Sequence, residues 1–324
     1  MNLKMKTLAA AMIAAGTMGT AQASSILFPY VVNSSTVTTV VSVINASESK
    51  SLHYTLRQKS GANAEDNLKA CTEFDTYLPT STYDIQTIDL AAHFGATTKG
   101  VLFNDPSINN NWKGTNKDFA IVKTALGGVN STPLRGYLVV DTDTTESTQL
   151  IEGEAMVYEF ASGATWGYTA GRAVDGNFAN DADITATSGQ NISVKPWGET
   201  TTKFLVTPID ATMRNGNDAA GQNAVISFGF AGTGQAMYDR DENVFSGSTP
   251  ATVVCVGSVN AESLVSVGVK TSTPDGGWSQ LNVAPSGVAT LTQASVIKLD
   301  YNNSTQKFNG EAVTGTFNNA FQLR

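Results

Sequence analysis

Charge is scarce in this chain. Only 15% of its 324 residues are Asp, Glu, Lys or Arg, against about 25% in ordinary domains. The charge present leans acidic, with 20 Lys+Arg against 28 Asp+Glu and a formal net charge of −8. That excludes the basic stripe that nucleic acid needs and the polybasic patch that docks on anionic lipid. Histidine is rarer still. The two histidines, His53 and His93, lie in no His-x-His, Glu-x-x-His or His-Glu-x-x-His spacing, so no zinc or metalloprotease motif is visible. There are two cysteines and no Cys-x-x-Cys-His, which excludes attached c-type haem. No Gly-x-Ser-x-Gly elbow offers a hydrolase nucleophile. The glycines of "GTGQAMYDRD" open no helix and make no phosphate cradle. The sequence therefore predicts a protein that is not an enzyme. An exported hydrolase built on two carboxylates, such as a pair drawn from Glu152, Glu154 and Glu159, ranks third among the readings below.

Long apolar runs are missing too. The run "TLAAAMIAAG" is short of the about 20 residues that cross a bilayer. Lys4 and Lys6 precede it and "AQA" follows it before Ser24, so residues 1–23 read as a signal peptide. No Cys follows the cut, so no lipid anchor is expected. Without the two leader lysines the charge becomes 18 − 28 = −10. The chain is expected to be exported to the cell surface or beyond, with the periplasm as the alternative. Strand faces carrying Thr, Ser, Gln, Lys and Arg lack the apolar band of a membrane barrel, so no membrane span is expected.

Helical periodicity is nearly absent, confined to "AEDNLKAC" (64–71) and "LAAHFG" (90–95). Strand patterns take its place. In "SLHYTLRQK", Leu52, Tyr54 and Leu56 alternate with His53, Thr55 and Arg57, which predicts a strand with one wet face. "GYLVVDTD", "GEAMVYEFA", "TKFLVTPID", "NAVISFGFAG", "ATVVCVGSV", "LVSVGVKTS" and "GVATLTQASVIKLD" read likewise as strands. Asn-Gly and Asp-Gly turns separate such segments and supply the positive φ of tight hairpins. Short strands with no helices between them predict an all-β fold, an antiparallel sandwich of immunoglobulin-like or jelly-roll type. The polar stretch "VDGNFANDADITATSGQN" divides it into lobes at 24–175 and 176–324, or forms a long loop on one interlocked domain.

In an exported chain two cysteines predict a Cys71–Cys255 disulfide, with Cys255 in mid-strand. Such a bridge would staple the two halves together. The acidic loops are candidate calcium sites, the best being Asp175, Asn177, Asp181 and Asp183, although Asp and Asn are also ordinary turn formers. No other cofactor is expected. Among four tryptophans, Trp112, Trp166 and Trp278 are candidate sugar-stacking platforms, because an indole presents a flat apolar face.

The stretch "SSILFPYVV" opens the expected mature chain with a strand. Alternation puts Ile26, Phe28 and Tyr30 on one face and Leu27 on the other. It reads as the edge strand of its own sheet, where Pro29 is tolerated, as a buried plug, or as a strand donated to a neighbouring subunit, which would build filaments. The composition suits a structural or adhesive surface protein whose partners are its own copies or surface molecules. A secreted carbohydrate- or ligand-binding module is the alternative.

Overall fold

The computed structural model describes residues 24–34, 36–48, 50–90, 133–142, 150–159, 164–173, 176–186, 188–210, 213, 222–285, 293–302, 307–308, 311–312 and 318–323. His93, Trp112 and Asp175 lie outside them. In chain order the strands are β1 (Ser25–Asn33), β2 (Val37–Asn45), β3 (Lys50–Ser60), β4 (Thr72–Thr80), β5 (Asp84–Asp89), β6 (Leu134–Asp141), β7 (Ile151–Glu159), β8 (Ala164–Thr169), β9 (Gly171–Arg172), β10 (Gln190–Val194) and β11 (Thr200–Ile209). They continue with β12 (Asn223–Phe228), β13 (Gln235–Tyr238), β14 (Val244–Ser246), β15 (Ala251–Val254), β16 (Gly257–Asn260), β17 (Gly277–Pro285), β18 (Gln293–Asn302), β19 (Lys307–Phe308), β20 (Glu311–Ala312) and β21 (Asn318–Leu323). Among the described residues one short α-helix, α1 (Val267–Ser272), interrupts them.

Among the described residues the strands form four larger sheets and one two-stranded ribbon, with every pairing antiparallel. Sheet I runs β4-β3-β6-β1-β9 and sheet II runs β5-β2-β7-β8. Sheet III runs β16-β11-β18-β21, and sheet IV runs β14-β13-β17-β12-β15 with β10 on β17. β19 and β20 form a two-stranded ribbon. This is the expected all-β sandwich architecture. Sheets I and II enclose one core, with Phe28, Leu52 and Val140 facing Val41, Ile151 and Ala155. Sheets III and IV enclose another around Phe204, Val296, Ile226 and Leu281. A third core lies where the outer face of sheet I meets the outer face of sheet III: Leu27, Tyr137 and Val139 pack with Leu205, Ile297 and Leu299. The order of layers is therefore II, I, III, IV.

The third core corrects the reading of β3. Leu52, Tyr54 and Leu56 face the first core as expected, but the opposite face is not wet. Thr55, Arg57 and Lys59 are buried there, because sheet I is covered on both sides. Arg57 pairs with Glu73. Lys59 Nζ donates to Val256 O at 2.7 Å and Asp66 O at 2.9 Å.

Cys71 and Cys255 form the expected disulfide, with Cα atoms 5.9 Å apart. Cys255 is not in mid-strand, however. "ATVVCVGSV" breaks at Cys255, whose φ is +61°, so that β15 stays in sheet IV and β16 enters sheet III. The break is a corner at which one segment changes sheet, and the 59–71 segment clamps it. Asn67 O accepts from Val254 N at 2.7 Å. The Asn67 side chain donates to Ser258 O at 2.8 Å and accepts from Ser258 N at 3.0 Å. Position 257 must be glycine, since a Cβ there would stand 2.4 Å from Asn67 Oδ1.

Two further expectations are corrected. "LVSVGVKTS" has the pattern of a strand but contains α1, because Ser266 caps the turn by accepting from Val269 N at 3.4 Å. In β1 the alternation fails at Pro29. Phe28 pairs with Leu138 and Val31 with Gly136, so β1 holds one residue more than β6. This bulge moves Tyr30 onto the face of Leu27, in the third core, while Ile26, Phe28 and Val31 face the first. One inserted residue reverses every side chain that follows.

Candidate ligand-binding surfaces

β1 lies within its own sheet, between β6 and β9, and Ile26, Leu27 and Phe28 are fully buried. β9 covers only Ile26 and Leu27. Beyond them the free backbone edge is met by side chains. Tyr168 Oη donates to Tyr30 O and accepts from Tyr30 N. Thr39 Oγ1 does the same for Val32, at 2.9 Å each way. Thr207 donates to Pro29 O. An edge whose polar groups are already paired is a poor template for another strand.

The outward face of sheet IV carries a different chemistry. On β17, Ser279, Leu281 and Val283 are buried while Trp278, Gln280 and Asn282 alternate outward. Trp278 is 39% exposed. Its direct cross-strand partners are Tyr238 on one side and Ser193 on the other. The Tyr238 ring stacks on the indole with centroids 5.1 Å apart and planes 10° apart. Phe230 closes edge-on against both, at 5.0 and 4.9 Å. On the Ser193 side the partner is a short side chain, in keeping with the exposure of the indole. Amides continue the surface along the strands: Gln280 Nε2 lies 3.2 Å from Asn191 Oδ1, and Asn282 Nδ2 donates to Gly229 O at 2.8 Å. Of the two described tryptophans that the sequence nominates, Trp278 is the exposed one, with amide donors and acceptors beside it. Tyr238 and Phe230 were not singled out. Strand pairing at 40 residues' remove brings Tyr238 beside Trp278, and no local pattern announces it.

Trp166 sits elsewhere. It is nearly buried in the third core, with Nε1 directed at Glu159 Oε1 at 3.3 Å. Its ring lies 6.4 Å from Tyr30 and 6.2 Å from Tyr168. With Tyr30 it lines a cleft of about 320 Å³ where the seam between sheets I and III opens to solvent.

In the candidate calcium loop, the side chains serve the backbone. Asn177 accepts from Ala179 N at 2.8 Å, capping a single 3₁₀ turn. Asp181 takes Arg172 N at 2.6 Å and Asp183 N at 2.9 Å, and Asp183 is exposed. Asp239 behaves similarly in "YDRDEN", accepting from Asp241 N and Asn243 N. Among the described residues, no three His, Cys, Asp or Glu side chains converge as a metal site. His53, expected on the surface, is half-buried. It lies 3.3 Å from Asp141 and 3.4 Å from Asp75, and stacks on Tyr77 with centroids 4.4 Å apart. The hydrogen bond to Asp141 is the chief cause that holds its pKa above the ordinary histidine value, with the charges of both aspartates adding and burial opposing. Among the described residues no helix is long and apolar enough to cross a membrane. No protein-family model matches the chain, and no curated protein matches it.

Proposed function

We propose that this chain is an exported, non-enzymatic adhesive protein of the bacterial surface that binds carbohydrate through the outward face of sheet IV. The observation that carries the reading is Trp278, stacked on Tyr238 on one side, beside the short Ser193 on the other, and exposed. An apolar ring face flanked by Asn and Gln amides matches a pyranose, which presents one face of C–H groups and a rim of hydroxyls. Rigid aromatic anchors lose little entropy on binding. The leader-like N-terminus and the Cys71–Cys255 bridge support export. A filament built by donating residues 24–32 is less favoured, since those residues fill their own sheet and their free edge is already satisfied.

The test is affinity electrophoresis and titration calorimetry against neutral glycans: β-1,4-glucan, xylan and chitin oligomers. At least one should bind, and Trp278→Ala should weaken it tenfold or more while the melting temperature stays put. The loss expected is about 1.4 kcal/mol or more, a factor of ten. If none of the glycans binds, or if Trp278→Ala binds as well as the parent, the proposal is wrong.

A further inference from the structure

The seam between sheets I and III changes character along its length, and the strand period is the reason. On β6 the outward positions are Val139, Tyr137 and then Arg135. On β11 they are Ile209, Thr207, Leu205 and then Lys203, and on β18 Ile297, Leu299 and then Tyr301. The apolar members close the third core. The next residue of each series projects where the two sheets part and lines the cleft of about 320 Å³ with Tyr30 and Trp166.

Both cations lie over aromatic rings. Arg135 is 6.0 Å from the centre of the Tyr30 ring and Lys203 is 5.5 Å from that of Tyr301. They are unequally occupied. Arg135 Nη2 meets Glu65 Oε2 at 2.6 Å, and Glu65 is an exposed side chain that approaches from solvent. Arg135 Nε is buried and, among the described residues, has no hydrogen-bond partner. The Arg135 side chain is only 7% exposed, so water does not readily serve that donor. Lys203 forms no ion pair among the described residues. Two carboxylates also line the cleft, Glu65 on Arg135 and Glu159 beside Trp166 Nε1. What they leave open, a buried guanidinium Nε from sheet I and the Lys203 ammonium from sheet III, is the complement of a carboxylate attached to a flat, partly apolar body.

We propose that this cleft is a second binding site, separate from the sheet IV face, for a carboxylate carried on a ring with one apolar face: the uronic acid residue of an acidic polysaccharide. Arg135 and Lys203 take the carboxylate, and Trp166, Tyr30 and Tyr301 enclose the ring. The choice of a sugar ring rests on the carbohydrate reading above; the choice of a carboxylate rests on the cleft alone.

The experiment uses the mature chain carrying Trp278→Ala, which removes the other face, and titrates it with tri-galacturonate, cellotriose and benzoate by calorimetry and tryptophan fluorescence. Tri-galacturonate should bind saturably and cellotriose should not. Lys203→Gln should weaken binding tenfold or more with unchanged melting, while Lys203→Arg, which keeps the charge, should stay within a few-fold. Affinity should fall as salt rises from about 50 to 300 mM. Absence of saturable uronate binding, equal binding of cellotriose, or indifference to Lys203→Gln would overturn the site. Benzoate binding as tightly as the uronate, and through Lys203, would overturn its assignment to a sugar. Because the background lacks Trp278, failure here and failure of neutral-glycan binding are separate results.

Discussion

Removing the Cys71–Cys255 bridge tests whether the two sandwich cores fold as one body. The bridge joins residues 184 apart in sequence. In the chain-entropy model a closed loop of that length raises the free energy of the unfolded chain by about 5 kcal/mol. The cleanest perturbation is Cys71→Ala with Cys255→Ala. Both cysteines are buried, and alanine places no new hydroxyl among apolar neighbours. Unfolding entropy of about 2.1 cal/mol/K per residue gives roughly 0.6 kcal/mol/K for a chain of some 300 residues, so the melting temperature should drop by about 8 °C. Native geometry should survive, because Lys59 and Asn67 still tie the 59–71 segment to the corner at 254–258. Differential scanning calorimetry of the parent with and without reductant, beside the double variant, reads the shift. One cooperative transition that moves by several degrees is expected. Two transitions in the oxidised parent, or a drop below about 2 °C, would refute the reasoning, for the bridge would then not be closing a loop across one cooperative unit. Two free thiols in the denatured, unreduced protein would refute it sooner.

Gly153→Ala should destabilise the first sandwich by about 1–3 kcal/mol, because the new Cβ would meet Phe28 Cζ at 2.5 Å and Ile26 Cδ1 at 2.9 Å. Adding Phe28→Leu should recover part of that loss in a double-mutant cycle, and additive losses in melting curves would show that β1 does not pack on β7 as described. His53 should make stability depend on pH with a definite sign. Its folded pKa lies above the unfolded value of about 6.5, so its contribution is complete below about pH 6.5 and is lost as pH rises through the folded value. Melting temperatures between pH 5.5 and 8.5 should show a decline that His53→Gln flattens, and equal slopes in the two proteins would exclude the Asp141–His53–Asp75 cluster as its source.

What the sequence makes legible is what the strand period alone decides. Leu52, Tyr54 and Leu56 announce a buried strand face, and they form one. The burial of Arg57 and Lys59 on the opposite face is not legible, since polar residues there read as wet until sheet III is known to cover them. Local events that shift the period are also hidden. The bulge at Pro29 sends Tyr30 to the third core. The positive φ of Cys255 turns one apparent strand into two, in different sheets. Nothing in "TVVCV" signals either a corner or a left-handed residue. The Ser266 cap overrides the β-branched pattern that makes "LVSVGVKTS" look extended. At the sheet IV face the indole of Trp278 could be nominated from sequence, but not its companions. Tyr238 and Ser193 reach it through strand pairing across sequence gaps of 40 and 85 residues, and Phe230 reaches it from the turn after β12, 48 residues away. A single sequence carries no register.

The two surfaces depend on the architecture in different ways. The sheet IV face is the outside of an outermost layer, and every residue it uses belongs to that one sheet or to the turns beside it. Its geometry is set by β10, β13, β17 and the turn after β12. The cleft draws Arg135 and Tyr30 from sheet I and Lys203 and Tyr301 from sheet III, so its shape exists only while those sheets stay packed. The dry contact of Leu27, Tyr137 and Val139 with Leu205, Ile297 and Leu299 supplies that packing. The disulfide, Lys59 and Asn67 tie down the corner at 254–258, just before Val259 and Asn260 pair with Phe204 and Lys203. Covalent and polar links gather at this corner, and the Thr207 hydroxyl on Pro29 O adds one within the seam itself. Burial alone would hold the sheets together but is non-directional. Directional bonds beside β16 fix how β11 lies against sheet I, and thereby where Lys203 stands relative to Arg135.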